Sequence, residues 1–349
     1  MTIKEKVGMA ETKGQKRRKY SDEYSASSSN LSSVNKLFLI GLLPEAQETY
    51  PNLKIILEEI NLGKIPHTIS SDLKADLTVM GKQQASCSFP CIYCPISKDF
   101  VGSSTLLTLG ELRAMRAAYL NAGEPHKDAK EFLNVINDIL LDGPDDCLVI
   151  DIINLPELHI MLGVVGKTLP ILDKTLGKDK VNNFLKTLCI TREDYHGRSS
   201  PLNGNDSKKF LANIEKLELA SIEDIDKKES AVKLTKSLSL FNKVVKACFG
   251  NALHDDYEQC IQEFLLHFDA TGIKKSLKIH LLDHVSEFLE RKFANGFPKV
   301  GLGFWSEQAF ESCHHKWKTH WENCAVGRDH TEYKERLCRA VVNFNCDRI

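Results

Sequence analysis

Cys91-Ile92-Tyr93-Cys94 and His280-Leu281-Leu282-Asp283-His284 are the residues of this chain best suited to holding a metal ion. A two-residue gap lets two thiolates reach one ion from a tight turn, and a three-residue gap puts two imidazoles on one face of a helix. Taken together across residues 95–279, the halves supply two sulfur and two nitrogen donors. That set fills a tetrahedral zinc ion and leaves no position for water, so its chemistry is structural: it staples distant segments. Cys87 is a possible substitute ligand. Each half alone is a weak signal, because paired cysteines inside cells are often core residues and an HxxxH pattern is often an ordinary helix surface.

Two carboxylates, Asp72 upstream and Glu311 downstream, are candidates for a separate catalytic pair of divalent ions, Mg²⁺ or Mn²⁺. Plainer roles compete. Asp72 precedes the helical-looking Leu73–Met80 and can cap it. Glu311 and Glu307 lie one turn apart and can form an exposed acidic stripe.

The elements that must position these residues read as follows. Lys36–Leu43 is an apolar run ended by Pro44, the pattern of a buried strand. Leu53, Ile56, Leu57 and Ile60 recur at helical spacing with Gly63 as the stop, and Ile65–Ile69 reads as a second strand. Strand, helix, strand with short connections implies an α/β core with neighbouring parallel strands. Beyond Cys94 the pattern is helical: Leu109–Leu120, Phe132–Leu141, Lys208–Leu219, Ala231–Gly250, Tyr257–Phe268, His284–Phe293 and Ser306–Glu322. Loops are expected at Gly143–Asp146, Arg198–Asp206 and Ile222–Glu229, and there is no internal repeat.

Composition narrows the class. A 349-residue chain with 42% hydrophobic residues can bury a sizeable core. Its net charge of −1 gives no global attraction to nucleic acid, so any electrostatic footprint is local. One basic cluster, Lys13, Lys16, Arg17, Arg18 and Lys19, precedes the Ser-dominated stretch 25–33, and residues 1–34 read as a disordered tail that could carry a nuclear-import signal. Eleven cysteines, an odd number, with no charged-then-apolar leader after Met1, fit reduced thiols inside a cell. No apolar run reaches the ~18 residues of a membrane helix, so no membrane role is expected.

Several segments carry a family resemblance: Ser70-Ser71-Asp72-Leu73-Lys74 ahead of the CIYC motif, Leu155–His159 (LPELH), Pro201–Leu211 (PLNGNDSKKFL), Lys278–Glu290 (KIHLLDHVSEFLE) and Gly301–Ser312 (GLGFWSEQAFES). From about residue 36 onward the chain resembles the catalytic core of the V(D)J recombinase catalytic subunit and its Transib-type DDE transposase relatives. The resemblance implies an α+β fold, with a partial ribonuclease-H-like (retroviral-integrase-like) sheet and a large zinc-stapled helical insertion, mostly helical in total. It implies a division into the tail 1–34 and a core 35–349, made of an α/β part 35–90, a clamped helical insertion 91–284 and C-terminal helices 285–349.

By the same resemblance, Cys91, Cys94, His280 and His284 are zinc ligands, Asp72 matches the second catalytic aspartate, and Glu311, ahead of Glu307, matches the catalytic glutamate. The histidine gap is three residues here and four in the recombinase. The family's first aspartate has no counterpart on a strand: upstream there is only Asp22, in the polar run 21–24. A metal pair that lacks one of three carboxylates loses its chemistry. The nonamer-binding and RING-type segments are also missing, so the chain reads as the C-terminal part of a transposase core.

The expectation is a transposase-derived, zinc-binding, DNA-interacting nuclear protein, a domesticated transposon product without its full catalytic set, with DNA and a second copy of itself as partners. The alternatives are an active divalent-metal DNA endonuclease or strand transferase completed by another chain, and a zinc-stabilised helical protein-interaction module.

Overall fold

The computed structural model describes residues 2–5, 47–61, 67–100, 104–192, 194–195, 198–199, 202–220, 222–306 and 308–346. In chain order the elements are β1 (Thr2–Glu5), α1 (Tyr50–Ile60), β2 (His67–Ser70), α2 (Leu73–Val79), α3 (Leu109–Asn121), a 3₁₀ turn at His126–Phe132 and the one-turn α4 (Val149–Ile152). There follow α5 (Glu157–Leu176), α6 (Lys178–Thr187), β3 (Asp194–Tyr195), β4 (Arg198–Ser199), α7 (Gly204–Asn213), α8 (Ile225–Cys248) and α9 (Tyr257–Asp269). The last four are α10 (Leu277–His280), α11 (Val285–Ala294), α12 (Gln308–Glu322) and α13 (Tyr333–Cys346). The described chain is mostly helical, as the spacing of its apolar residues implied.

Capping residues explain where several helices begin. Asp72 accepts from the Ala75 N–H to open α2, and Asn203 and Asp224 do the same for α7 and α8. Thr108 and Glu111 form a reciprocal capping box on α3. At the other end of α1 the stop is Asn61 in the left-handed region, ahead of the expected Gly63, because Asn tolerates that conformation and its N–H returns to Leu57 and Glu58 carbonyls.

The chain divides into two compact units, 1–97 with 102–156 and 304–349, and 98–101 with 157–303. In the first, β2 pairs antiparallel with β1, Ile3 opposite the buried Ile69, and Ile69 makes one parallel bridge to Ile153. A hairpin of α12 and α13 closes over Trp317 and Phe344, whose rings meet edge-on at 5.4 Å, with Cys313 and Ala340 beside them. Burying large apolar side chains of this kind contributes about 1.5–3 kcal/mol each. In the second unit α8 packs on α5, α7 and α9, and Phe241 sits at the centre against Phe264 and Phe249. Of the segment between Cys94 and His280, residues 98–101 and 157–279 fall in the second unit and the rest, α3 included, in the first.

Several expectations are corrected. Phe132–Leu141 is not a helix. Leu133 and Asn134 have positive φ, and the segment beyond them runs irregularly against the end of α2, where Ile136 and Asn137 donate to the Gly81 carbonyl and Leu140 donates to Val79. Its apolar residues, with Val135 and Leu141 buried, repeat at a spacing that either conformation can use. Within the expected tail, Thr2–Glu5 forms a strand, since a β-branched pair can fill the open edge of β2. The loops expected at 198–206 and 222–229 give way to β4 and α7 and to the start of α8, because Asn203 and Asp224 cap helices there.

Among the described residues the strands make two short antiparallel ladders, and a ribonuclease-H-like parallel sheet is not among them. The strand expected at 36–43, Asp22, the basic cluster 13–19 and Glu307 lie outside the described residues.

Gly81 makes the turn that follows α2. Its φ is +67°, and a Cβ there would sit 2.1 Å from the Asn137 carbonyl oxygen. Gly81→Ala is expected to cost more than about 2 kcal/mol in urea unfolding, because the left-handed penalty adds to a backbone collision. Gly123→Ala, at φ +80° with nothing within 4 Å, is expected to cost only about 1 kcal/mol.

Candidate metal centre

The CIYC turn is held by its backbone and by one buried lysine. Leu107 N–H donates to the Tyr93 carbonyl at 2.8 Å, and the Tyr93 hydroxyl donates to the Asn154 carbonyl at 3.2 Å. Lys82, 3% exposed, donates from Nζ to the Cys91 carbonyl at 2.6 Å. Burial pulls the Lys82 ammonium down to about 8, with Cys91, Cys87 and Cys94 pulling it back up. Burial pushes the Cys91 thiol up, but hydrogen bonds from Cys94 and the Tyr93 backbone, with the Lys82 charge, outweigh it and hold the thiol below its ordinary value. A depressed pKa favours the thiolate, which is the metal-binding form. Cys87 goes the other way: burial raises its thiol, only partly offset by Lys82.

The histidines sit where α10 tightens into the 3₁₀ turn Leu281–His284. Both are buried, at 1% and 3% exposure, and their Nε2 atoms lie 3.2 Å apart. His280 Nδ1 lies 2.9 Å from Asp283 Oδ2. A carboxylate only accepts, so Nδ1 carries the proton and Nε2 presents its lone pair. The Phe100 ring, 5.6 Å from that of His280, helps to cover the site.

One ligand atom from each of Cys91, Cys94, His280 and His284 lies within 4.8 Å of the others, and all four residues are buried. Zinc bonds of ~2.0 Å to nitrogen and ~2.3 Å to sulfur put tetrahedral neighbours about 3.3 Å and about 3.8 Å apart. The Nε2–Nε2 separation matches the first of these. Donor types, number, burial and spacing therefore fit zinc, and with four protein ligands the ion would be closed to substrate. The sequence reading named these four and did not name Asp283 or Lys82. Asp283 had a signal, an acid three residues after His280 inside the motif, and it supplies the carboxylate-to-histidine contact that orients metal-bound imidazoles. Lys82 had none, since nothing local marks a lysine for burial.

The carboxylate candidates are placed less decisively. Asp72 is half-buried, and its Oδ1 accepts from Ala75 N–H at 2.8 Å, the capping role. The fully buried acid of the segment is Asp76, which accepts from the Ser71 hydroxyl. Glu311 lies on α12. Ser70, two residues before Asp72, donates to the Trp305 carbonyl at 2.8 Å, which brings the end of β2 to the approach of α12. A cleft of about 400 Å³ lined by Tyr50, Glu58, His67, Asp138 and Asp142 among others contains none of these residues.

Two further motifs meet in the second unit. Lys208 of the NGNDSKK segment lies 3.8 Å from the buried Glu157 of LPELH, and a Cβ on Gly204 would come within 2.8 Å of Leu158. Asn203 caps α7 alongside them. Their roles here are a cap, a close approach and an ion pair.

Cys91→Ser and His284→Ala are expected to abolish stoichiometric zinc and to lower the unfolding temperature, read by metal analysis beside thermal melts. Cys87→Ser is expected to keep both. Asp283→Asn should retain zinc but weaken its affinity about 10–100-fold in chelator competition. Set against known proteins, the chain matches no family model and no curated protein, so this constellation carries the functional reading by itself.

Proposed function

We propose that this protein is a zinc-stabilised, transposase-derived DNA-interacting protein that has lost the full catalytic set of a DDE recombinase. The observation that carries the reading is the gathering of Cys91, Cys94, His280 and His284, two pairs far apart in sequence, into one buried donor set. The resemblance assigns the zinc ligands to those four residues.

The zinc is structural in this reading. The residues around it do the positioning: Lys82 holds the Cys91 carbonyl, and Asp283 holds the His280 ring. Mg²⁺ or Mn²⁺ at Asp72 and Glu311 belongs to the ancestral chemistry, in which paired ions stabilise the attacking and leaving oxygens at phosphorus. The Ser70–Trp305 contact brings the end of β2 to the approach of α12, while the capping role of Asp72 favours a protein without that chemistry. The ribonuclease-H-like sheet belongs to the same proposal, as does a nuclear location, which the basic cluster 13–19 supports.

A second reading, a zinc-stabilised interaction module with no nucleic-acid role, is favoured by one local fact. The basic group at 274–278 is engaged by acids, with Lys274 on Asp99 at 2.7 Å and Lys275 on Asp269 at 3.1 Å. Among the described residues no helix is long and apolar enough to cross a membrane.

The zinc-loaded protein is expected to shift duplex DNA in a gel at low salt and to lose it steeply as salt rises, while leaving the DNA un-nicked with Mg²⁺ or Mn²⁺. Nicking that disappears in Asp72→Asn or Glu311→Gln would show an active enzyme. No shift at low salt would favour the interaction module.

A further inference from the structure

Lys82 is a charged residue sealed inside the first unit, 3% exposed, and its backbone is fixed from two sides. Its N–H donates to the Leu77 carbonyl at 2.9 Å, and it bridges antiparallel to Val135. From there Nζ crosses to the Cys91 carbonyl at 2.6 Å. Lysine is almost never buried unless an anion lies beside it. Among the described residues, the ionisable groups that act on this one are Cys91, Cys87 and Cys94, with no carboxylate among them. A carbonyl alone could be served by a neutral donor such as serine or glutamine. What the ammonium answers is the negative charge that cysteine sulfurs carry as metal ligands.

Asn134 holds the same loop from outside the motif. It is 4% exposed and sits at φ +59°, a conformation that Asn tolerates better than most residues. Its carbonyl accepts from the Gln83 N–H at 2.9 Å, its side-chain amide donates to Gln83 Oε1 at 2.7 Å, and its Oδ1 accepts from the Phe89 N–H at 2.9 Å. One residue thus pins both ends of the stretch 83–89, and Cys91 follows immediately after Pro90.

We infer that Lys82 and Asn134 are positioning residues of the metal centre: they fix the loop that carries Cys91 and Cys94 so that both sulfurs face one ion, and Lys82 sets a positive charge beside those sulfurs. The inference deepens the zinc reading and rests on it. Neither residue is a ligand, and both act through the ligands. The histidine pair has Asp283 for this purpose, a carboxylate suited to an imidazole N–H. The cysteine pair has the opposite charge, suited to thiolates. Removing outer groups that orient a metal ligand changes metal affinity by about 10–100-fold.

The test uses the full chain loaded with zinc, read by chelator competition, and the same chain loaded with Co²⁺, read by its thiolate-to-cobalt charge-transfer band. Lys82→Met keeps most of the side-chain length and removes donor and charge. It is expected to bind zinc about 10–100-fold more weakly and to shift the cobalt band, because the sulfurs are no longer held in place. Lys82→Arg, which keeps donor and charge, is expected to recover most of that loss. Asn134→Asp keeps the shape and the tolerated backbone but removes the donor to Gln83. It is expected to weaken zinc binding by a smaller factor, and it carries the test if Lys82→Met does not fold. Wild-type affinity and an unmoved cobalt band in Lys82→Met, with only the melting temperature lowered, would overturn the inference, since the lysine then serves the fold alone. Wild-type affinity in Asn134→Asp beside an unfolded Lys82→Met would do the same. A wild-type chain that takes up no stoichiometric zinc would overturn the zinc reading along with it.

Discussion

Two thiols and two imidazoles share one buried place, where His280 contacts both Asp283 and His284, and Cys91 is hydrogen-bonded with Cys94. A structural zinc ion there would add far more than such contacts, since binding in small zinc-dependent domains is worth about 10–16 kcal/mol. The local groups already lean toward the metal-binding forms. Cys91 is held below its ordinary pKa, and the Asp283 carboxylate turns the His280 Nε2 lone pair inward. The architecture around the CIYC turn reads as the means of keeping that arrangement.

The surroundings are built for rigidity. Asn154 donates to Ser70 and Thr68, its N–H donates to Ile69, and its carbonyl accepts from Tyr93, so one side chain and its backbone tie β2 to the cysteine turn. Gly81 makes the reversal that delivers Lys82 beneath Cys91. A buried ammonium is costly, which is why burial pulls its pKa down to about 8, while Cys91, Cys87 and Cys94 pull it back up and the Cys91 carbonyl accepts from it. Asp72 stands on the same framework. The cap uses one carboxylate oxygen, and that duty alone is sufficient reason for an aspartate at the start of α2.

Electrostatics divides the lysines into two populations that composition cannot tell apart. With 46 basic and 47 acidic residues the chain is nearly neutral, and most exposed pairs are neighbours on one helix, worth only a few tenths of a kcal/mol each. The clustered lysines near residue 275 instead reach acids outside their own loop, Lys274 on Asp99 and Lys275 on Asp269.

What the sequence determined by itself was periodicity and motif. Helical spacing placed α3, α8, α9, α11 and α12, and the CxxC and HxxxH pairs named all four donors of the candidate metal centre, because both signals are local and survive without knowledge of neighbours. It misread 132–141 as helix, since buried apolar residues repeat similarly in an irregular segment, and it could not foresee Thr2–Glu5 closing the edge of β2. Only the tertiary structure decided that Cys91 and Cys94 meet His280 and His284, and that Lys82 is buried beneath the cysteine turn. These outcomes depend on contacts between residues far apart in the chain, and on which charges become desolvated when those contacts form.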